Sequence, residues 1–270
     1  MASVEVKRAS PKLAQLSVMS LRPLEPLKGV PKSQGTLDRD AQSRMLDSER
    51  AFDREGEVAD VEELILKTPD EEVLCVRFGA ELTGRHLSCL MPEAWLNDEV
   101  VNAYLRILSE ENKGQIWCPN SFFWPKLRDN GYSAVQRWTK RASIELASLR
   151  VVLVPLHLTS HWALGVIDLV QHELLYLDSL GLAPPELLES RLTEFLEREV
   201  DLAIAPWTLR VEDAPRQRNT SDCGLFMLLY AECFAASRPL EFATSAKAIR
   251  RKRQEIALAI LKGKLGSVSA

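Results

Sequence analysis

Several large classes of protein are excluded by what these 270 residues lack. No apolar run approaches the roughly 20 residues that a membrane-crossing helix needs. The N-terminus has no apolar stretch of the kind a secretory signal carries. The five cysteines, at 75, 89, 118, 223 and 233, are odd in number and include no Cys-x-x-Cys pair. That usage suits free thiols in a reducing compartment rather than a disulfide framework. Basic charge is not in excess, since 34 Lys and Arg stand against 38 Asp and Glu, a net of −4, so nothing argues for a nucleic-acid partner. No H-E-x-x-H, G-x-S-x-G or phosphate-loop pattern occurs, so the metalloprotease, serine-hydrolase and nucleotide readings lack support. No internal repeat is present. With 46% hydrophobic residues the chain can bury one sizeable core, and a soluble intracellular globular protein with no membrane contact is expected.

The segments that are there divide unevenly. Residues 1–40, with four prolines and scattered charge, show no sustained period and are expected to form a flexible extension. From about Gln42 the pattern turns helical in "QSRMLDSERAFDREG" and "EVADVEELILKTP", the second ending before Pro69. "EVLCVRFG" reads as a short strand, and "GRHLSCLM" is ambiguous. In "PEAWLNDEVVNAYLRILSEEN", Asn97 or Asp98 can cap a helix whose apolar face is Val100, Val101, Tyr104, Leu105 and Leu108. "VVLVPLHL" is the nearly unbroken apolar run of a strand buried on both faces, and "ALGVIDL" and "ELLYLDSL" follow as two more strands. "PPELLESRLTEFLEREV" reads as a surface helix opened by Pro185. "CGLFMLLYAECFAA" is apolar around its whole circumference and predicts a central buried helix. "SAKAIRRKRQEIALAILKGKL" predicts a closing amphipathic helix. Hairpins rather than repeated βαβ units indicate an α+β fold.

Cys223, in "QRNTSDCGLFML", begins the buried helix. With Ser221 or Asp222 as N-cap, its thiol lies in the first turn, where unpaired N–H groups and the helix dipole favour a thiolate. Gly224 is expected to leave room beside the sulfur. A lone cysteine of this kind is ordinarily core packing, the reading that Cys75, Cys89, Cys118 and Cys233 keep. A nucleophile needs a base and an acid that orients it. His161 in "TSHWALGVIDL" and Asp178 in "LLYLDSLG" are the candidates. A turn centred near Val170–Gln171 sets Asp178 opposite Ala163 with His161 as its diagonal neighbour, and such pairs sit about 7–8 Å apart. His157 and His161 on one strand span about 13 Å and cannot share a metal. His86 and His172 read as solvated loop residues, and Trp124 as core.

Four segments in order, "WLNDEVVNAYL", "VPLHLTSHWALGVIDL", "LLYLDSLG" and "QRNTSDCGLFML", resemble those of the ubiquitin-like-protein protease family, above all the SUMO (sentrin-specific) proteases. "VQRWTKRASI" and "IRRKRQEIALAILKGKL" extend the resemblance over roughly residues 45–265. It implies a papain-like cysteine protease fold of the adenovirus-protease-like branch, with a central mixed sheet flanked by helices and a catalytic domain over residues 41–266. It further implies Cys223 as nucleophile, His161 as general base, Asp178 as its orienting partner, and Gln217 as an oxyanion donor beside the Cys223 N–H. Trp95 and Trp162 correspond to the walls of a tunnel around a Gly-Gly tail, with two core tryptophans as the plainer alternative. Asp98 corresponds to a position that pairs with a basic residue of SUMO, or is only a helix cap.

The implied activity is cleavage after the C-terminal Gly-Gly of SUMO, in precursors and in conjugates to substrate lysines. SUMO is the implied partner, the protein is expected to be a monomer, and no cofactor or metal is expected. Proteases of the same fold acting on NEDD8 or ubiquitin, acetyltransferases with a related triad, and a non-catalytic SUMO-binding module are the alternatives. "RRKR" at 250–253 has the composition of a nuclear-localisation signal but is expected to be the solvated face of the last helix. A nuclear or cytoplasmic place is a family-level expectation only.

Overall fold

In the computed structural model the described residues are 60–200 and 206–266. The expectations for residues 1–40 and for "QSRMLDSERAFDREG" lie outside them. Three strands form the antiparallel middle of a five-stranded sheet: β4 (Val151–His157), β5 (Trp162–Asp168) and β6 (Glu173–Leu177). Leu164 pairs with Leu177 and Gly165 with Tyr176, the register expected from a turn at Val170–Gln171. Asp168 closes that turn by accepting from the N–H groups of Val170 and Gln171 at 3.0 and 2.8 Å.

The near-continuous apolar reading of these strands has a direct cause. Successive side chains alternate across the sheet, and both faces are covered. On one face Leu153, Leu164, Val166, Leu175 and Leu177 join the larger hydrophobic cluster. On the other, Val152, Val154, Leu156, Ile167, Leu174 and Tyr176 join a second cluster with Phe123, Trp124, Leu127, Leu192 and Phe195. The larger cluster contains helix α7 (Cys223–Ala235), buried nearly throughout, which packs on β5 and against α3 (Asp98–Glu111). Helix α8 (Ala246–Lys262) closes over α3 and α1 (Asp60–Lys67). Ser245 caps α8 by accepting from the Ala248 N–H, and Gly263, at φ 69°, ends it in the left-handed conformation.

The sheet is mixed, as the family resemblance implies. The edge strands β3 (Ile116–Trp117) and β7 (Leu209–Val211) run parallel to β4 and β6 respectively. Each is reached by a helical excursion, through α4 (Phe123–Asn130) and α5 (Trp138–Ala142) on one side and α6 (Leu188–Glu199) on the other. Strands of two and three residues are too short to show a period of two, so sequence pattern does not reveal them. In the ambiguous "GRHLSCLM", Gly84–Leu87 forms the short helix α2 and Ser88–Leu90 a 3₁₀ turn; β2 (Ala80–Thr83) precedes them and pairs with β1 (Val73–Arg77). Pro185 opens a turn rather than the helix itself, which is regular from Leu188.

Candidate active site

Three loops converge where β5, β6 and α7 meet. The hairpin from β4 to β5 is tight, with Leu158 donating to the His161 carbonyl at 2.7 Å and Thr159 held at φ 61°. That left-handed conformation costs an L residue roughly 1 kcal/mol or more, and it sets His161 at the mouth of β5. Asp178 stands just past the end of β6. His161 Nε2 donates to Asp178 Oδ2 at 2.7 Å, and the Tyr176 hydroxyl donates to the same oxygen at 2.9 Å. Oδ1 accepts from the N–H groups of Leu180 and Gly181 at 2.7 and 2.9 Å. Burial acts against this carboxylate. The donors from His161, Tyr176 and Leu180 outweigh burial and hold it below the usual aspartate range.

With Nε2 engaged by Asp178, Nδ1 is the ring nitrogen left for the Cys223 thiol, which lies near enough to help raise the imidazole. Asp178 first and then the neighbouring Cys223 push the His161 pKa up to about 9, against the opposing effect of burial. Burial would raise the Cys223 thiol. The His161 bond, the Trp162 and Gly224 backbone N–H groups and the imidazolium charge lower it instead. The other four cysteines go the other way: burial drives Cys75 and Cys89 up to about 11, and raises Cys118 and Cys233. One thiol of five is prepared to ionise.

Gln217 is buried on the loop that leads to α7. Its Oε1 accepts from Ser179, and its Nε2 donates to the Asn219 carbonyl at 2.6 Å, which leaves one N–H of the amide free. Trp162 is buried and its indole N–H donates to the Leu96 carbonyl at 3.0 Å, while Trp95, one residue earlier, is half exposed. Asn97 caps α3 by accepting from Val100 N–H at 2.9 Å. Asp98 is thereby relieved of the capping role and sits half-buried in the first turn. Trp124 packs in the second cluster, as expected of a core residue.

Three expectations are corrected here. Asp222 occupies the N-cap position of α7 but makes no cap bond, because its carboxylate is taken by Arg253 and Asn219, both at 2.7 Å. Arg253 is therefore not on a solvated face; it is fully buried, although Arg250 and Arg251 are exposed as expected. Gly224 is closely packed: a Cβ there would meet Leu96 Cβ at 2.9 Å and Trp162 Cδ1 at 3.0 Å. His86 is half-buried rather than solvated, and its Nδ1 accepts from the Thr83 N–H at 3.2 Å to cap α2. His157 stacks on Trp162, with ring centroids 4.4 Å apart, and steadies that indole. His157, Tyr176 and Asn219 were missed as site residues. Tyr176, two residues before Asp178, shares its sheet face, a signal that period-two alternation does carry.

A thiol beside an imidazole that a buried carboxylate orients, at the N-terminus of a central helix packed on a mixed sheet, is the arrangement of the thiol hydrolases of papain-like architecture. The chain belongs to the Ulp1 protease family: the model of that family's C-terminal catalytic domain matches residues 94–264. Human sentrin-specific protease 2 is 36% identical over 198 residues, 68% of this chain and 33% of that protein. The ubiquitin-like-specific protease ESD4 of Arabidopsis thaliana is 39% identical over 180 residues, 60% of this chain and 37% of that one. The chain thus spans about a third of the length of such curated relatives. Among solved structures, the yeast Ulp1 protease domain in complex with Smt3, the yeast ortholog of SUMO, superposes with a TM-score of 0.69 at 31% identity. The match covers 76% of this chain and 93% of that one. The Chaetomium thermophilum Ulp1-like SUMO protease catalytic domain gives 0.67 at 25% identity, covering 86% and 93%.

Proposed function

We propose that this protein is a SUMO-specific cysteine protease that cleaves after the C-terminal Gly-Gly of SUMO, in precursors and in conjugates to lysine. The observation that carries the reading is the Asp178–His161–Cys223 chain, with the imidazole held 2.7 Å from a saturated carboxylate and the thiol lowered beside it. In the proposed reaction the Cys223 thiolate attacks the carbonyl carbon of the terminal glycine. The carbonyl π electrons move onto oxygen, and the free N–H of Gln217 and the backbone N–H of Cys223 receive that oxyanion. His161 then gives its proton to the departing amine as the C–N bond breaks, leaving a thioester. A water that gives its proton to the same imidazole attacks the thioester, and the thiol leaves with a free glycine carboxylate.

Asp178 holds the imidazole in the orientation both transfers need. Trp95 and Trp162 would flank the Gly-Gly tail and exclude residues with side chains, and Asp98 would meet a basic residue of SUMO. On this reading residues 41–266 make the catalytic domain, and the protein acts as a monomer without a cofactor. SUMO specificity is supported by the names of the relatives and by the Smt3 complex of the yeast domain. The test is cleavage of SUMO, NEDD8 and ubiquitin precursors side by side, with Cys223→Ser as control. Processing of SUMO alone, lost in the variant, is expected. Preference for NEDD8 or ubiquitin would reassign the substrate, and SUMO binding without cleavage would make the protein a binding module.

A further inference from the structure

Arg253 lies 30 residues from the nucleophile in sequence, yet its guanidinium bridges the residue before the nucleophile and the segment before Trp95. Nη1 donates to the carbonyls of Cys89 and Met91 at 3.0 and 3.1 Å. Nη2 donates to the carbonyl of Ala94 at 2.8 Å and to Asp222 Oδ1 at 2.7 Å. Both side chains of the ion pair are buried, at 1% and 7% exposure. The three carbonyls belong to the segment that leads directly into Trp95 and Leu96. The carboxylate belongs to the residue before Cys223.

Asp222 is the more informative end. An aspartate at an N-cap ordinarily turns its carboxylate onto the free N–H groups of the first turn. Here that bond is absent. Arg253 holds one oxygen and the Asn219 amide the other, and Asn219 in turn accepts from the N–H groups of Ser221 and Asp222 at 3.2 and 3.1 Å. The carboxylate is drawn off the helix end, so it does not compete for the first-turn N–H groups, of which that of Gly224 helps to lower the thiol.

We infer that Arg253 is a positioning residue for the reaction: it draws the Asp222 carboxylate away from the first turn of α7 and ties the Trp95 segment to the same point. The inference rests on the proposed thiol-protease reading, which it deepens. The charged and titratable groups bonded together next to Cys223 and His161 are Asp178, which holds His161, the Asp222–Arg253 pair before Cys223, and Arg216, which donates to the Asp178 carbonyl at 3.1 Å. Without Arg253 only the Asn219 amide holds Asp222, and the carboxylate oxygen left without a partner can turn onto the first-turn N–H groups, one residue from the thiolate.

The test is the pH dependence of Cys223 alkylation by iodoacetamide, mapped to its peptide, in the full chain. Arg253→Met should move the midpoint to higher pH by about one to two units, the effect of a carboxylate brought within a few ångströms at an intermediate dielectric. Its kcat on a SUMO substrate should fall at least about tenfold, with a smaller change in KM. The Asp222→Asn/Arg253→Met pair, which removes the carboxylate, should return the midpoint to its wild-type place. A purely structural role predicts no such return. An unmoved midpoint in folded Arg253→Met, or one still displaced in the double variant, overturns the inference. Should Arg253→Met fail to fold, Arg253→Lys replaces it; one ammonium cannot serve four acceptors, so a smaller shift in the same direction is expected and none would refute it. Wild-type protein that alkylates at a low midpoint but leaves SUMO uncut would sink the substrate reading and leave this comparison standing.

Discussion

Replacing Gly224 by alanine adds one methyl group to the residue after the nucleophile. The new Cβ would lie 2.9 Å from Leu96 Cβ and 3.0 Å from Trp162 Cδ1, where carbon atoms in ordinary contact stand about 3.5–4.0 Å apart. Relief therefore takes a displacement of roughly 0.5–1 Å. Neither neighbour gives way alone, because the Trp162 indole N–H is bonded to the Leu96 carbonyl at 3.0 Å and its other face is stacked on His157. The Trp162 backbone N–H also helps to lower the Cys223 thiol, so any shift passes to the reacting atom. Overpacking costs about 1–3 kcal/mol, partly offset by up to about 1 kcal/mol from the better helix propensity of alanine. A misplacement of about 1 Å can cost on the order of 10²-fold in rate. Activity should thus fall far more than stability. Steady-state kinetics on a fluorogenic SUMO substrate beside the melting temperature read both quantities. A Gly224→Ala enzyme within twofold of wild-type kcat would refute the claim that this contact registers the nucleophile.

Asp178→Asn should fold yet lose several orders of magnitude in kcat, since the imidazole loses its ionised acceptor; near-normal turnover would move the orienting role elsewhere. Activity should hold on a plateau and then decline through about pH 9 as the His161 imidazolium loses its proton, measurable as a pH–kcat/KM profile; a limb near 6.5 would contradict the ion pair. Stability follows the same signs. The raised His161 pKa contributes stability that is full below its ordinary 6.5 and lost as pH rises through about 9, whereas the lowered Asp178 contributes above its ordinary 3.8 and is lost in acid below that value. Deleting residues 1–40 should leave kcat/KM on a SUMO substrate within about twofold, since their sequence has no sustained period and offers no catalytic candidate; a larger drop would contradict it.

How much of this was legible in advance differed from element to element. Helix α7 announced itself through an apolar circumference, and the β5–β6 register followed from two apolar runs and the turn between them. That register alone was enough to bring His161 to Asp178. Residues at an edge gave too little pattern: β3 and β7 owe their place to the strands beside them rather than to any periodicity of their own. Arg253 shows a different failure. Ile249, Arg253, Ile256 and Ile260 fall at helical spacing on one stripe, so its burial was written in the pattern. The neighbouring Arg250, Arg251 and Lys252 suggested a solvated cluster instead. A buried guanidinium needs partners, and those partners, three carbonyls before Trp95 and one carboxylate before Cys223, are brought together only by tertiary packing. Asp222 was read as a cap from its position in the chain; the ion pair that diverts it lies 31 residues away.

The most direct test of Cys223 as the nucleophile is to react the wild-type protein with a SUMO probe ending in a glycine vinyl sulfone, then digest the adduct and map it by mass spectrometry. The modification should fall on Cys223 alone, at a rate that drops sharply in Asp178→Asn, with no comparable adduct from the ubiquitin or NEDD8 probes. A stable adduct on Cys75, Cys89, Cys118 or Cys233, or none at all from a folded protein that binds SUMO, would contradict it.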